Sequence, residues 1–371
     1  MNLITLQKEY KMLLKDTITE YLSPNYIYLK INKNMKLEIN PNDNILKGQK
    51  LSEQIYSPVS GKIAGIKEFS KDKKYLVIAN DFKEKKYKNK IKKIDELSKE
   101  ELLSVIKEYN INVYKKLCLE SNKLIINAVE EQPYVGNKMF IFKNYAKEIL
   151  NIADIISQTL GITDIQINFK DTDVNSINNI NNVIGMYPLF NVRLLPDKYL
   201  ISNKDILIKY LNIKEDFIYL DIEDLYNLYE YFDNKKINEE KLITITGNAI
   251  NNPQVIKCKL GSNLKDILDE VIEFNTDNYK IIINKLLFNN ASDSNVIIDD
   301  NIKAIFIMEN MVIDERKCIK CGKCNDYCPV NINVFNLVNN KKCDKKDCIK
   351  CGLCTYICPS YININKHLGD E

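Results

Sequence analysis

The chain begins with short runs of alternating apolar and polar residues. YIYLKI (26–31), KLEI (36–39), YSPVSGKIAGIKEF (56–69) and KYLVIAND (74–81) are punctuated by Pro41, Gly48, Pro58 and Gly61, which predicts hairpin strands through about residue 88. The apolar period then lengthens. Ser98 and Glu101 form a capping-box pair ahead of Leu102, Val105, Ile106 and Tyr109 at helical spacing. LIINAV (124–129) predicts a buried strand. A long helix follows from about Phe142 to Leu160, apolar at Ala146, Ile149, Leu150, Ala153 and Ile156 and stopped by Gly161. DIQINF (164–169) and NVRLL (191–195) predict two more strands with a polar helix between them. Strand, helix, strand, helix, strand implies right-handed crossovers and a parallel sheet, which binds ligands at the carboxyl ends of its strands. Residues 239–306 open with two strands around a turn, KLITITGNAINNPQVIKCKL, and a helix near Ser262.

At 371 residues the chain is long enough for roughly two to four domains. Its net charge of +3 argues against a dedicated nucleic-acid binder. The lysines of KEKKYKNKIKK (83–93) read as a solvated connector. No apolar run approaches the ~18 residues of a membrane helix, and MNLITLQKEYKMLLKD lacks a signal-peptide core, so an intracellular, cytoplasmic protein is expected.

Cysteine usage changes the picture. Nine of the eleven cysteines fall in the last 54 residues. Two copies of C-x2-C-x2-C-x3-C-P stand 30 residues apart, at Cys318, Cys321, Cys324, Cys328 and at Cys348, Cys351, Cys354, Cys358. A cubane [4Fe–4S] cluster needs four thiolates at tetrahedral corners. The x2 spacings wrap one loop round three corners, and the proline turns the chain away so that the fourth cysteine reaches elsewhere; in two-cluster ferredoxins, which the pattern resembles, it serves the other cluster. That arrangement predicts two [4Fe–4S] clusters, one held by Cys318, Cys321, Cys324 and Cys358 and the other by Cys348, Cys351, Cys354 and Cys328. Structural zinc has no use for a third cysteine two residues on, and disulfides would imply a secreted chain. Cys118, Cys258 and Cys343 lack partners at ligand spacing and read as ordinary residues, with more doubt over Cys343, five residues before Cys348. Ile319, Ile349, Tyr327, Tyr356 and Ile357 are expected to shield the clusters, and His367 reads as an exposed tail residue.

Taken together, the order of parts resembles the C subunit of the Rnf electron-transport complex, with relatives in the proline-reductase-associated electron carrier and the propanediol-microcompartment cobalamin reductase. The residues carrying the resemblance are SPVSGKI (57–63), LIINAVEEQPY (124–134), LPDKY (195–199), ITITGNAINNP (243–253) and DCIKCGLCTYICPS (347–360). It implies an α/β multidomain protein. Its parts would be a lipoyl-like barrel-sandwich hybrid (1–88), a complex I flavin-domain-like α/β sheet (89–238), a β-grasp, SLBB-like module (239–306) and a two-cluster ferredoxin domain (307–371). In that family the α/β domain binds FMN and accepts hydride from NADH.

The glycines for that chemistry are missing. The family's GLGGAGFPT loop falls where this chain reads YNINVYKKLCLESNK (109–123), and GAECEPY has become AVEEQPY, keeping Glu130, Pro133 and Tyr134 but replacing glycine with Ala128. LISNKD (200–205) and NKLLFN (284–289) replace two further glycine-rich segments. Side chains block close approach of backbone N–H groups to phosphate, so FMN is not expected. The expected function is a flavin-free subunit relaying single electrons between redox protein partners, with peripheral association to a membrane complex compatible. An NADH-oxidising FMN subunit using Glu130 is the alternative, and a structural or redox-sensing iron–sulfur scaffold is a third reading. The spacer between the quartets is shorter than the family's, which alters the surface that selects partners.

Overall fold

The computed structural model describes residues 3–6, 14–32, 35–37, 39–53, 55–70, 73–288, 291–311, 313–339 and 341–368. The first strand, β1 (Thr19–Tyr21), does not join its sequence neighbours; it pairs in parallel with a strand of the third sheet. β2 (Tyr26–Ile31), β3 (Asn44–Ile45), β6 (Gly61–Ser70) and β7 (Lys73–Asn80) form an antiparallel sheet in the order β2-β7-β6-β3, beside the small pair β4 (Lys50–Ser52) and β5 (Ile55–Tyr56). Ile27, Ile45, Leu51, Val59, Ile63, Leu76 and Ile78 make its core. The strand expected at KLEI does not form at Lys36, Leu37 or Ile39, and residue 38 lies outside the described residues.

The second unit begins with α1 (Lys99–Tyr109) and α2 (Ile111–Leu117). Ser98 and Glu101 do form the capping box, with Glu101 N–H donating to Ser98 Oγ at 3.2 Å and Ser98 N–H donating to Glu101 Oε2 at 3.0 Å. β8 (Lys123–Asn127), α3 (Asn137–Leu160), β9 (Asp164–Lys170), α4 (Val174–Asn181), β10 (Phe190–Leu195), α5 (Lys204–Leu211), β11 (Ile218–Asp221) and α6 (Ile222–Phe232) follow. The sheet is parallel in the order β10-β9-β8-β11. Helix α3 starts five residues before the expected Phe142, and Gly161 ends it at φ 74°, the left-handed conformation a side chain resists. Periodicity found β8, β9 and β10 but not β11, a short strand whose Asp221 doubles as the N-cap of α6.

The third sheet has β12 (Glu240–Thr246), β13 (Gln254–Lys259), β14 (Tyr279–Ile283), β15 (Ala291–Ser292) and β16 (Ala304–Glu309), in the order β1-β13-β12-β16-β14-β15, with α7 (Leu264–Val271) packed beside it. A buried ion-pair ladder joins it to the first unit. Lys47 Nζ lies 3.0 Å from Glu239 Oε2, and Lys259 Nζ 3.0 Å from Glu240 Oε1. Short helices α8 (Lys323–Asp326), α9 (Val334–Val338) and α10 (Leu353–Tyr356) complete the carboxyl-terminal unit.

Candidate iron–sulfur loops and the adjoining cavity

The two cysteine runs share a backbone. Lys320 and Lys350 sit at φ 58° and 50°, Gly322 and Gly352 both at 77°, and each loop then enters a one-turn helix. Cys318, Cys321, Cys324 and Cys358 line one small cavity with Phe335, Ile362 and Ile364. Backbone bonds explain how Cys358 arrives there. Arg316 N–H donates to the Ser360 carbonyl at 2.9 Å, and Ser360 Oγ donates to the Lys317 carbonyl at 3.1 Å. These bonds fasten the chain leaving the second run beside the chain entering the first.

In the other group burial pushes the thiols of Cys351 and Cys354 up, to about 11 and about 12, and the nearby Cys348 and Cys328 add to the effect. Burial favours the neutral thiols, so these sulfurs would serve as thiolates only with a cation beside them to offset the charge. Backbone N–H groups already approach the sulfurs. Lys320 N–H points at Cys318 Sγ at 3.4 Å and Ile332 N–H at Cys328 Sγ at 3.3 Å, the kind of contact that tunes a cluster. Among the described residues no three His, Cys, Asp or Glu side chains converge as they would round a single metal ion. Four thiolates round a cubane stand farther apart than that, so donor type and grouping fit the larger group.

The remaining cysteines behave differently from one another. Cys118 is exposed at the end of α2, and Cys258 is buried in β13. Cys343 packs against the same apolar core as cysteines of both runs, its thiol donating to the Asn333 carbonyl at 3.2 Å. Ile319 lines the small cavity of Cys318, Cys321, Cys324 and Cys358 yet is 66% exposed, so it covers that group only in part, whereas Ile349 packs against Tyr199, Leu200 and Leu353. His367 is half-buried, and its carbonyl accepts from Lys345 at 3.1 Å, so it is not a free tail.

The second loop adjoins a cavity of about 530 Å³ at the carboxyl ends of β8 and β11, lined by Asn127, Glu131, Tyr199, Asp221, Lys303 and Cys351 among others. Tyr199 Oη donates to the Cys351 carbonyl at 3.0 Å and lies 3.3 Å from Gln132 Oε1. The helix N-termini at this rim are closed by the chain's own side chains. Asn110 accepts from the N–H groups of Asn112 and Val113, Asn203 from those of Asp205 and Ile206, and Asp221 from that of Glu223. Behind them Lys138 Nζ sits 2.5 Å from Asp221 Oδ2 and donates to the Val129 carbonyl at 3.0 Å, while Lys303 Nζ lies 2.8 Å from Glu131 and 3.2 Å from Glu223. Burial opposes ionisation of Asp221, yet Lys138 and Lys303 outweigh it and hold the carboxyl at about 2. Glu130 accepts from the N–H groups of Lys138 at 2.6 Å and Met139 at 3.4 Å, occupying the start of α3. Part of the residue reaches solvent, but its carboxyl turns inward, and burial pushes it up to about 7 against the pull of Lys138.

Sequence reading named Glu130 but missed the rest of this charged set. The strand end followed by Asp221 and Asp224 was a usable helix-start signal. Lys138 carried none, since Asp221 lies 83 residues away.

Two family models match separate parts of the chain. The Nuo51 FMN-binding domain family matches residues 108–216, and the 4Fe-4S dicluster domain family matches residues 310–359. The C subunit of the ion-translocating oxidoreductase complex of Buchnera aphidicola subsp. Acyrthosiphon pisum is 27% identical over 341 residues, 81% of this chain and 71% of that protein. Its counterpart from the Baizongia pistaciae strain is 25% identical, covering 89% of this chain and 74% of its own length. The Vibrio cholerae counterpart is 23% identical over 81% of this chain, which spans 44% of that relative. Among solved structures, an NAD+-reducing [NiFe]-hydrogenase in the air-oxidised state matches 53% of this chain and 42% of its own at a TM-score of 0.44 and 11% identity. The chain is a divergent relative of the C subunits of ion-translocating oxidoreductase complexes, with a complex I-type α/β domain at its centre and an iron–sulfur dicluster domain near its carboxyl end.

Proposed function

We propose that this chain is an electron-transfer subunit that relays single electrons between redox proteins through two [4Fe–4S] clusters. The observation that carries this is the crosswise grouping of the cysteines, with Cys358 beside the first run and Cys328 beside the second. Cys318, Cys321, Cys324 and Cys358 hold one cluster; Cys348, Cys351, Cys354 and Cys328 hold the other. When bound, such clusters accept and release one electron at a time without proton or atom transfer. The chain's own contribution is thiolate ligation, N–H···S contacts and burial, which set the potentials.

FMN is not part of this reading. The interval where relatives carry a glycine-rich loop is occupied by α2, and three helix N-termini at the cavity rim are satisfied by Asn110, Asn203 and Asp221. A phosphate would have to displace those caps to reach the N–H groups of the helix starts. The second reading, an NADH-oxidising FMN subunit, keeps support from the match to the FMN-binding domain and from the retained cavity.

The division into 1–88, 89–238, 239–306 and 307–371 is part of the same proposal, with the first part a barrel-sandwich hybrid and the third a β-grasp module. The strand order β2-β7-β6-β3 with the hairpin β4-β5, and helix α7 against a mixed sheet, support those assignments. Strand β1 reaches across to the third sheet. Among the described residues no helix is long and apolar enough to cross a membrane, which suits a peripheral subunit at the cytoplasmic face of a membrane complex. Anaerobic purification with iron, sulfide and flavin assays tests the proposal. About eight irons without flavin supports it. Stoichiometric FMN moves the assignment to the second reading, and absence of iron removes both.

A further inference from the structure

The two cysteine loops are local copies set in opposite surroundings. The second is seated on its own chain. Tyr199 Oη donates to the Cys351 carbonyl at 3.0 Å, Lys285 Nζ donates to the Ile349 carbonyl at 3.1 Å, and Leu353 is 1% exposed. Contact there is tight enough that a Cβ on Gly352 would stand 2.2 Å from the carbonyl of Leu287.

The first loop has no such seat. Ile319 is 66% exposed, Cys321 is exposed, and a Cβ on Gly322 would meet nothing within 4 Å. Where the second loop carries Leu353, the first carries an exposed lysine, Lys323. Arg316, Lys317, Lys320 and Lys323 surround Ile319 in sequence, all exposed, and none has an ion-pair partner among the described residues. Their acidic neighbours are fewer. Asp314 and Asp326 oppose them, while Glu315 is engaged by Lys366 at 3.0 Å.

We infer that the first loop, centred on Ile319 and Cys321, is the docking face for an acidic one-electron carrier protein, which covers it as the Tyr199 face covers the second loop. This rests on the electron-relay reading above. The apolar centre supplies contact area and the cationic rim supplies steering toward a partner of opposite sign. The covered loop also shows what the partner must bring. The carbonyls of Ile349 and Cys351 are each met by a side-chain donor, so a protein offering donors fits the equivalent carbonyls of the first loop. Transfer across the face moves one electron and no atoms, oxidising one partner and reducing the other. The structure thereby acquires a direction, with the second loop inward on the cavity and the first outward to the carrier.

The test uses the full chain carrying its clusters, with dithionite-reduced plant-type ferredoxin, an acidic one-electron carrier, as the probe. Lys317→Glu/Lys323→Glu is compared with Lys88→Glu/Lys90→Glu, the same charge change placed in the exposed connector. The loop variant is expected to lose ~10-fold or more in affinity and second-order rate at low salt, with a flatter salt dependence. Iron content and the reduced-state EPR spectrum stay at wild-type values in both variants, and the rate with the small cationic dye methyl viologen falls in neither. In acetylation footprinting the ferredoxin shields Lys317, Lys320 and Lys323 of the wild type. Equal losses in both variants, unchanged affinity in the loop variant, or binding to phosphatidylglycerol vesicles in preference to ferredoxin would overturn the docking face. A wild-type chain without iron defeats the relay reading instead, and the footprint and affinity still report on the surface.

Discussion

Tyr199 and Cys351 are joined by a 3.0 Å hydrogen bond from the tyrosine hydroxyl to the cysteine carbonyl, across 152 residues of sequence. The bond ties the LPDKY segment of the α/β unit to the second cysteine loop, and Tyr199 is buried where it forms. Tyr199→Phe deletes one neutral hydrogen bond and leaves the Cys351 carbonyl without that donor. A loss of about 1 kcal/mol in seating the loop is expected. Hydrogen exchange at the amides of residues 351–353 should quicken several-fold while those of residues 321–323 stay as they were.

Lys138 and Asp221 form a buried pair at the carboxyl edge of the parallel sheet. Lys138→Met leaves Asp221 enclosed with Lys303, 3.9 Å away, Glu223 N–H and the Asn127 amide at 3.4 Å to answer its charge. The expected cost is about 3 kcal/mol, the lower part of the range for a broken buried pair. The double variant Lys138→Met/Asp221→Asn should recover part of it. Urea unfolding of the three proteins checks the order.

Glu130 supplies a pH signature. In the folded chain its carboxyl is pushed up to about 7 from the ordinary 4.5. Between those two values the native state holds a proton that the unfolded state has released, so this group's contribution falls as pH rises through the window. It is present in full below 4.5 and lost above 7, and the change is at most about 3 kcal/mol. Glu130→Gln removes the slope. Against wild type, the variant should be similar at pH 4.5 and more stable at pH 8; the same difference at both would refute the assignment.

The spectra of single variants distinguish the crosswise ligand sets from simple consecutive ones. Cys358→Ser should reproduce the spectrum of Cys321→Ser, and Cys328→Ser that of Cys351→Ser, each losing about half the iron. If Cys328→Ser instead matched Cys321→Ser, each run would close its own cluster. Cys343→Ser should retain the full complement, since its thiol is spent on the Asn333 carbonyl.

Much of this was legible along the chain. The cysteine spacing, the Ser98–Glu101 capping box, the Gly161 stop and the strands β8, β9 and β10 are all local signals, set by residues a few positions apart. Strand β11 and its Asp221 were not, because a short strand running straight into a helix shows neither period for long.

What the sequence determined by itself was chemistry: eight thiols at cluster spacing, and a lack of glycine where phosphate would need bare amides. Tertiary structure alone decided that Lys138 meets Asp221 and that two near-identical loops face in opposite directions. Spacing governs neighbours within a turn or a hairpin. Burial and long-range pairing depend on how separate sheets pack, and so Ile319 and Ile349, the same letter in the same motif, end up one in solvent and one against Tyr199.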